Sequence, residues 1–325
     1  MMTIRYLAVL LIAACFNTAI AADFVPKKRV ELVVHTGPGG GADIAARALN
    51  AMIEQEKMLP LGTEVVNKPG PTGASAMGYL AQKAGDPHIL AVFSSTYLVD
   101  PIVNPDAPIT WKQTTPIAIL LLEPGIGLVK ADSPYKTFND FIADAKARPG
   151  QPIQAGGALG VNTISRMLIE KKSGASWKFV PFPTGGERVA SLLGGHSHLL
   201  FLEAQQAISY IQAGTMRGLV MDNADERLAA FPDVPTMNEV GYGEADQVRS
   251  NRGILAPPGL PKEAIDFWDG FFAKLVKTAA WKTYVEKNFI QTAFMPSAPT
   301  AKYLQEYTEN VRSVLKENGF KVTDK

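Results

Sequence analysis

Short apolar runs of strand length alternate along this chain with stretches of helical periodicity, and that alternation limits the fold more than any other feature. The candidate strands are Val30–Val34, Glu64–Asn67, Ile89–Phe93, Ile117–Leu122, Gly127–Val129, Ile153–Ala155, Lys178–Pro181, Leu199–Leu202, Gly218–Met221 and Gly253–Leu255. The candidate helices are Ala42–Lys57, Thr72–Lys83, Phe138–Ala147, Thr163–Lys172, Gly186–Leu193, Ala204–Ala213, Lys262–Lys277 and Thr300–Asn318. Such alternation predicts an α/β fold with largely parallel sheets. With 325 residues, 46% of them apolar, the chain can bury a sizeable core and is long enough for two domains or one large one.

The turn after the first strand reads HTGPGGGAD, four glycines and a proline leading into a helix that carries Asp43 in its first turn. Glycine admits positive φ and lets another group come close. A helix N-terminus offers unpaired N–H groups and a partial positive charge, so this turn has the makings of an anion seat. Asp43 cannot attract an anion. Its expected part is to fix the loop by accepting N–H bonds. Two further Gly-rich turns follow strands, AGGALGVNTISR and PTGGER. Ligands of open α/β sheets bind beyond the carboxyl ends of strands, so turns from two lobes would meet at one cleft. Arg249 and Arg252, in QVRSNRGILAPPG, precede a strand. An arginine there can hold a carboxylate in a two-bond fork or sit in a surface salt bridge, and the residues alone leave both open for each of the two; Arg252, beside GILAPPG, is the one expected near an inter-lobe crossing.

Other chemistries fit less well. The segment Gly37–Ala42 formally matches the dinucleotide fingerprint G-x-G-x-x-A, but the second strand ends in Asn67 where an acidic ribose partner is expected. The Walker phosphate loop fails because no Gly-Lys-Ser/Thr follows the glycines. No G-x-S-x-G elbow is present, and Ser94-Ser95-Thr96 reads better as a helix cap or a set of ligand hydrogen-bonders than as a nucleophile. His196 and His198 have no third ligand at metal-site spacing. The 32 Lys+Arg nearly balance the 31 Asp+Glu, and no basic tract of the kind that tracks nucleic acid occurs. These readings call for no cofactor, no metal and no nucleic-acid partner.

The first residues carry Arg5, an apolar stretch Tyr6–Phe16 too short to span a bilayer, and an Ala19-Ile20-Ala21 cleavage pattern. Residues 1–21 therefore read as a signal peptide for export, with a mature start at Ala22. The single cysteine, Cys15, lies inside this leader. Ile12–Cys15 also fits a lipidation box, the alternative to removal. In either case the exported domain has no thiol for a disulfide, a metal or a nucleophile.

Six stretches taken in order resemble the periplasmic substrate-binding proteins of tripartite tricarboxylate transporters, the Bug family, and its TctC-like branch in particular. They are PGGGADIAAR (Pro38–Arg47), VVNKPGPTGASAMGYLA (Val65–Ala81), LLGGHSHLLF (Leu192–Phe201), AGTMRGLVM (Ala213–Met221), ERLAAFPDVPTMNEVGY (Glu226–Tyr242) and RGILAPPGLPKE (Arg252–Glu263). The resemblance covers nearly all of the chain after the leader. It implies a two-lobed periplasmic-binding-protein-like fold, residues 23–123 with 256–325 forming one lobe and 124–255 the other with the crossing strands. It also implies capture of a small carboxylate, di- or tricarboxylate, and its delivery to the small and large membrane permease subunits of such a system, by a monomer without catalysis. Carried onto this sequence, the family's binding loops fall on Thr36, Gly39, Gly40, Gly41, Ala42 and Asp43; on Ser94, Ser95 and Thr96; on Gly160, Asn162 and Thr163; and on Thr184 and Gly185. Glu203 and Arg252 complete the candidate ligand contacts. Two departures stand out. His35-Thr36-Gly37 replaces the usual Pro-Phe-Ala, so a pocket aromatic is missing, and Arg188 follows Glu187 where a small residue is usual. A periplasmic sensor handing its ligand-bound state to a membrane receptor would need the same cleft. A secreted enzyme acting on a carboxylate is a third reading, disfavoured by the lack of a paired acid and base.

Overall fold

The first strand, β1 (Val30–Val34), is buried at four of its five positions, as a strand covered by helices on both faces must be. It belongs to a computed structural model that describes residues 24–39, 41–70, 73–107, 109–157, 160–182 and 185–324. The proposed leader, with Cys15 and the Ala19-Ile20-Ala21 pattern, lies outside the described residues. A six-stranded sheet is built from β1, β2 (Thr63–Asn67), β3 (Ile89–Ser94), β4 (Thr115–Leu122), β10 (Asn251–Ala256) and β11 (Gln291–Met295), in the order β11-β4-β10-β3-β1-β2. A five-stranded sheet holds β5 (Gly125–Lys130), β6 (Ile153–Gly156), β7 (Lys178–Pro181), β8 (Leu199–Glu203) and β9 (Met216–Asp222), in the order β7-β6-β8-β5-β9.

Strand alternation sorts the core. Val30, Leu32 and Val34 of β1 pack with α1 (Gly41–Gln55), α8 (Lys262–Leu275) and α9 (Ala279–Asn288) on one face of the first sheet. Val33 points the other way, into a cluster with α2 (Ala74–Ala81), α3 (Thr96–Val103) and α10 (Ser297–Glu317). The second sheet repeats the plan. Leu199 and Phe201 of β8 face α4 (Phe138–Ala147) and α5 (Val161–Ser173). Leu200 and Leu202 face α6 (Gly185–Leu193) and α7 (Ala204–Gln212). A period of two with apolar residues on both sides is why each strand read as a continuous apolar run. The two sheets and their helices make the expected two-lobed α/β architecture.

The expectation of largely parallel sheets needs correction. β1 pairs in parallel with β2 and β3, and β6 with β7 and β8. However, β10 runs antiparallel to β3 and β4, β11 to β4, and β5 to β8 and β9. The chain leaves the first sheet after β4, enters the second as β5, and returns as β10. Each crossing strand thus meets its neighbours head to tail. β10 is hydrogen-bonded into the first sheet, and residues 223–250 lead back to it from β9.

Three elements were missed in the sequence. α3 carries Pro101 in its interior, which removes a donor and hides the helical signal. α9 has a weakly amphipathic face, although Thr278 caps it by accepting from the Trp281 amide at 3.2 Å. β11 is a half-buried edge strand with an irregular register.

Trp268 on α8 anchors the first core: it is fully buried, and its indole N–H donates to the Pro87 carbonyl at 3.0 Å. Replacing Trp268 with alanine is expected to cost about 3–5 kcal/mol, read as a lower urea midpoint. A loss under about 1 kcal/mol would show that the α8 face is not a core surface.

Candidate functional site: the cleft between the sheets

A cavity of about 440 Å³ opens between the two sheets, at the ends of β3, β4, β8 and β9 and beside both crossings. Its size suits a small molecule. The first lobe and its link contribute Ser94, Asp100, Glu123 and Arg252, and the second contributes Asn162, Arg188, Phe201, Glu203 and Asp222.

Arg252 lies at the start of β10, where its Nε donates to Glu123 Oε1 at 2.6 Å. Glu123 is the linker residue after β4, and its backbone N–H donates to the Ser250 carbonyl at 3.0 Å. One ion pair therefore joins the outgoing crossing to the start of β10, the strand that receives the return crossing. The pair is mostly sheltered, with side chains 16% and 19% exposed. Arg252 also approaches the Gly-rich turn: a Cβ on Gly41 would stand 3.4 Å from Arg252 Nη2. Arg249, by contrast, is paired with Asp225 at 2.5 Å and does not line the cavity. Arg188 projects from the first turn of α6, and its Nη1 donates weakly to the Phe201 carbonyl at 3.5 Å. Among the described residues no carboxylate lies within 4.0 Å of its guanidinium.

Asp222 ends β9 and lines the cavity while being only 2% exposed. No hydrogen bond reaches its Oδ1 among the described residues. Burial, then the neighbouring carboxylates of Asp246 and Glu203, push its acid up to about 7, against the backbone of Gly125. Gly125 is required here, because a Cβ at that position would collide with Asp222 Oδ1. His35 moves the opposite way. Burial and the charge of Arg252 bring its imidazole down to about 4, so it is neutral at physiological pH. Its ring packs edge-on to Tyr97 with centroids 4.9 Å apart.

The candidate contacts divide. Ser94, Ser95, Gly160, Asn162, Glu203 and Arg252 line the cavity. The Ser95 hydroxyl does not cap α3. It donates to the Arg249 carbonyl at 3.1 Å and so fastens β3 to the return crossing. Thr36, Gly39, Gly41, Ala42, Asp43, Thr163 and Gly185 do not line the cavity, although Gly41 borders Arg252 and Gly185 borders Arg188. Gly40 and Thr184 lie outside the described residues, as does the side chain of Thr96.

Asp43 is buried and fixes the loop by accepting N–H bonds, the part its place in the first turn of the helix led us to expect. It accepts from the Gly39 amide at 2.9 Å, from Asn67 Nδ2 at 2.8 Å and from Arg47 Nε at 2.9 Å. Chiefly Arg47, then Gly39 and Asn67, hold its carboxyl well below the usual range. The Gly39 N–H is consumed inside the loop, and Gly39 turns the chain there at a φ of +81°. Asn67, which replaces the acid of a dinucleotide site, thus has its own task.

Asp100, Glu123, Arg188, Asp222, Asn223 and Ser250 also line the cavity and were not among the expected contacts. A sequence signal existed for two of them. Glu123 and Asp222 stand just after or at the carboxyl ends of apolar strands, where open α/β sheets bind ligands.

The profile described as "Tripartite tricarboxylate transporter family receptor", TctC, matches residues 47–320. The chain belongs to this family. Among TctC-type relatives, Protein BugT of Bordetella pertussis is 29% identical over 231 residues, 69% of this chain and 69% of that protein. A TctC solute-binding protein from Polaromonas, solved with no ligand, is 24% identical with a TM-score of 0.77, covering 90% of this chain and 99% of its own. MatC of Rhodopseudomonas palustris, solved with bound malate, is 24% identical with a TM-score of 0.68, covering 89% and 99%. The TctC family consists of solute-binding receptors of tripartite transporters. No described helix is long and apolar enough to cross a membrane.

A raised folded-state acid sets the sign of one stability effect. Asp222 binds its proton more tightly folded, at about 7, than at its ordinary value of 3.8. Its contribution is therefore fully present below pH 4 and is lost as pH rises towards 7. Asp222→Asn is expected to gain on the wild type in Tm as pH goes from 5 to 8. A Tm difference that stays constant with pH would mean that the carboxyl is solvated.

Proposed function

We propose that this receptor captures a small di- or tricarboxylate in the inter-sheet cleft, in the periplasm, and delivers it as a monomer to the small and large permease subunits of its transporter, without chemical turnover. The observation that carries the reading is a guanidinium from each lobe on one cavity: Arg252 from the first and Arg188, without an ion-pair partner among the described residues, from the second. Arginine forks match carboxylates in geometry and charge. Ser94 and Asn162 add neutral hydrogen-bonding groups to the same walls. A ligand that touches both lobes favours the closed arrangement by its differential contacts, which is what a docking permease can sense. Malate bound to MatC supports a dicarboxylate of this size.

Native mass spectrometry of the purified protein, followed by a thermal-shift panel of malate, succinate and citrate, tests the reading. A carboxylate recovered intact after long incubation supports it, and a converted product overturns it. Arg188→Ala is expected to weaken carboxylate binding by roughly 2 kcal/mol, about thirtyfold. Arg252→Ala should weaken it by at least about tenfold, although that change also leaves Glu123 unpaired. Arg249→Ala should change the affinity less than about threefold, because its guanidinium is engaged outside the cavity. Equal effects at all three positions would remove the two-arginine site.

A further inference from the structure

We propose that Asp222 is a ligand-contacting residue that acts in its protonated form, so that the cleft takes up a proton together with the ligand carboxylate. The inference rests on the carboxylate-capture reading above and adds to it a specificity residue and a proton.

The cavity is lined by four acids, Asp100, Glu123, Glu203 and Asp222, against two arginines, Arg188 and Arg252. One of those arginines is already committed to Glu123. A carboxylate ligand would enter a cleft with an acid surplus of its own. Asp222 is the member that gives way. It is buried, its Oδ1 has no hydrogen-bond partner, and no salt bridge reaches it among the described residues. An ionised carboxylate in that position is buried with no cation paired to it among the described residues, a cost that the backbone of Gly125 offsets only in part, whereas the neutral acid removes it. Two carboxyl groups brought together at such a site share a proton rather than ionise separately. The O–H of Asp222 then donates to the ligand carboxylate, a charge-assisted bond of the stronger kind. The proton comes from solvent, and no covalent bond changes.

The charged groups around Asp222 point the same way. Glu203 at the end of β8 and Asp246 in the turn 243–247 favour its neutral form. The Asp246 side chain is only 6% exposed, and it accepts from the Asn223 amide at 2.9 Å. Beyond it, Arg249 is paired with Asp225. On α5, Arg166 is paired with Glu170 at 2.5 Å. Across the cavity are Asp100 on α3, Arg188 on α6, and the Arg252–Glu123 pair. His35, beside Arg252, stays neutral above pH 6 and adds no proton-linked charge there. Binding an anion at Asp222 raises its proton affinity further, so by linkage the ligand binds more tightly as pH falls.

Calorimetry of the full chain with malate, succinate and citrate tests this between pH 6.5 and 8.5. The carboxyl groups of malate and succinate are largely ionised in that range, so the pH profile is read on these two and citrate reports capture alone. The dissociation constant of the wild type is expected to rise by roughly tenfold or more from pH 6.5 to 8.5. Repeating the titration at pH 7.5 in buffers of different ionisation enthalpy should reveal uptake of a fraction of a proton approaching one. That proton count is read on the wild type and needs no variant to fold. Asp222→Asn, whose amide still donates, should bind with an affinity that no longer varies with pH, and Asp222→Ala should bind more weakly than the wild type at pH 6.5. A flat wild-type profile with no proton uptake overturns the proposal while leaving carboxylate capture standing. So does a slope that persists in Asp222→Asn. Affinity that grows with pH also overturns it, since Asp222 would then be serving as an anion. Binding of none of the three probes at any pH overturns the capture reading and this one with it.

Discussion

The ion pair between Glu123 and Arg252 is the contact on which the two-lobed arrangement turns. The chain passes between the sheets at two places; Glu123 stands on the first passage and Arg252 at the start of β10, the strand that receives the second, 2.6 Å away. The Glu123 amide bonded to the Ser250 carbonyl and the Ser95 hydroxyl bonded to the Arg249 carbonyl keep the passages side by side. A sheltered pair of this kind yields little net stability, because desolvation offsets much of the attraction. What it supplies is registry. It sets Arg252 at the mouth of β10 with its remaining N–H groups directed past Gly41, and so fixes where the first lobe presents charge.

The periodicity of the strands made most of the fold legible. Val30–Val34 and Lys178–Pro181 were read with the bounds they have in the structure, because turn residues bracket them. Phe138–Ala147 was equally clear: Thr137 and Asp140 form a reciprocal capping box, a local signal that owes nothing to the rest of the chain. Where local and tertiary signals part, reading fails. α3 contains a proline and survives because Tyr97, Leu98, Val99 and Ile102 are buried in the core. The antiparallel crossings cannot be seen in spacing at all, since strand direction is decided by which sheet the chain re-enters.

The same division holds for the cleft. The Gly-rich turns drew attention to the residues around 36–43, yet the turn's one described acid serves the turn itself. Its carboxylate takes the Gly39 N–H that an anion would have wanted. The residues that meet at the cavity, Glu123, Arg188, Asp222 and Arg252, are separated by some thirty to sixty-five positions at each step. No motif links them, and only the crossing topology brings them together. Arg188 was noticed as an unusual residue without a role. Its position at the start of α6 supplies one: a cation facing the ligand space with no carboxylate to occupy it among the described residues.

Charge then decides what kind of ligand site this is. Arginine forks select for the planar geometry of a carboxylate but do not by themselves set how many carboxylates a ligand carries or where it is repelled. Here Glu203 and Asp100 stand on the same walls, so in the proposed reading an anion is favoured only where its oxygens meet Arg188 and Arg252. Asp222 sharpens that distinction because its charge is conditional. Gly125, with no Cβ, leaves it room beside the backbone, and burial leaves it without water. A group held so close to its titration point costs little to neutralise when a carboxylate arrives and little to re-ionise when the lobes separate. Capture and release can then differ by a proton, with the arginine contacts left as they are.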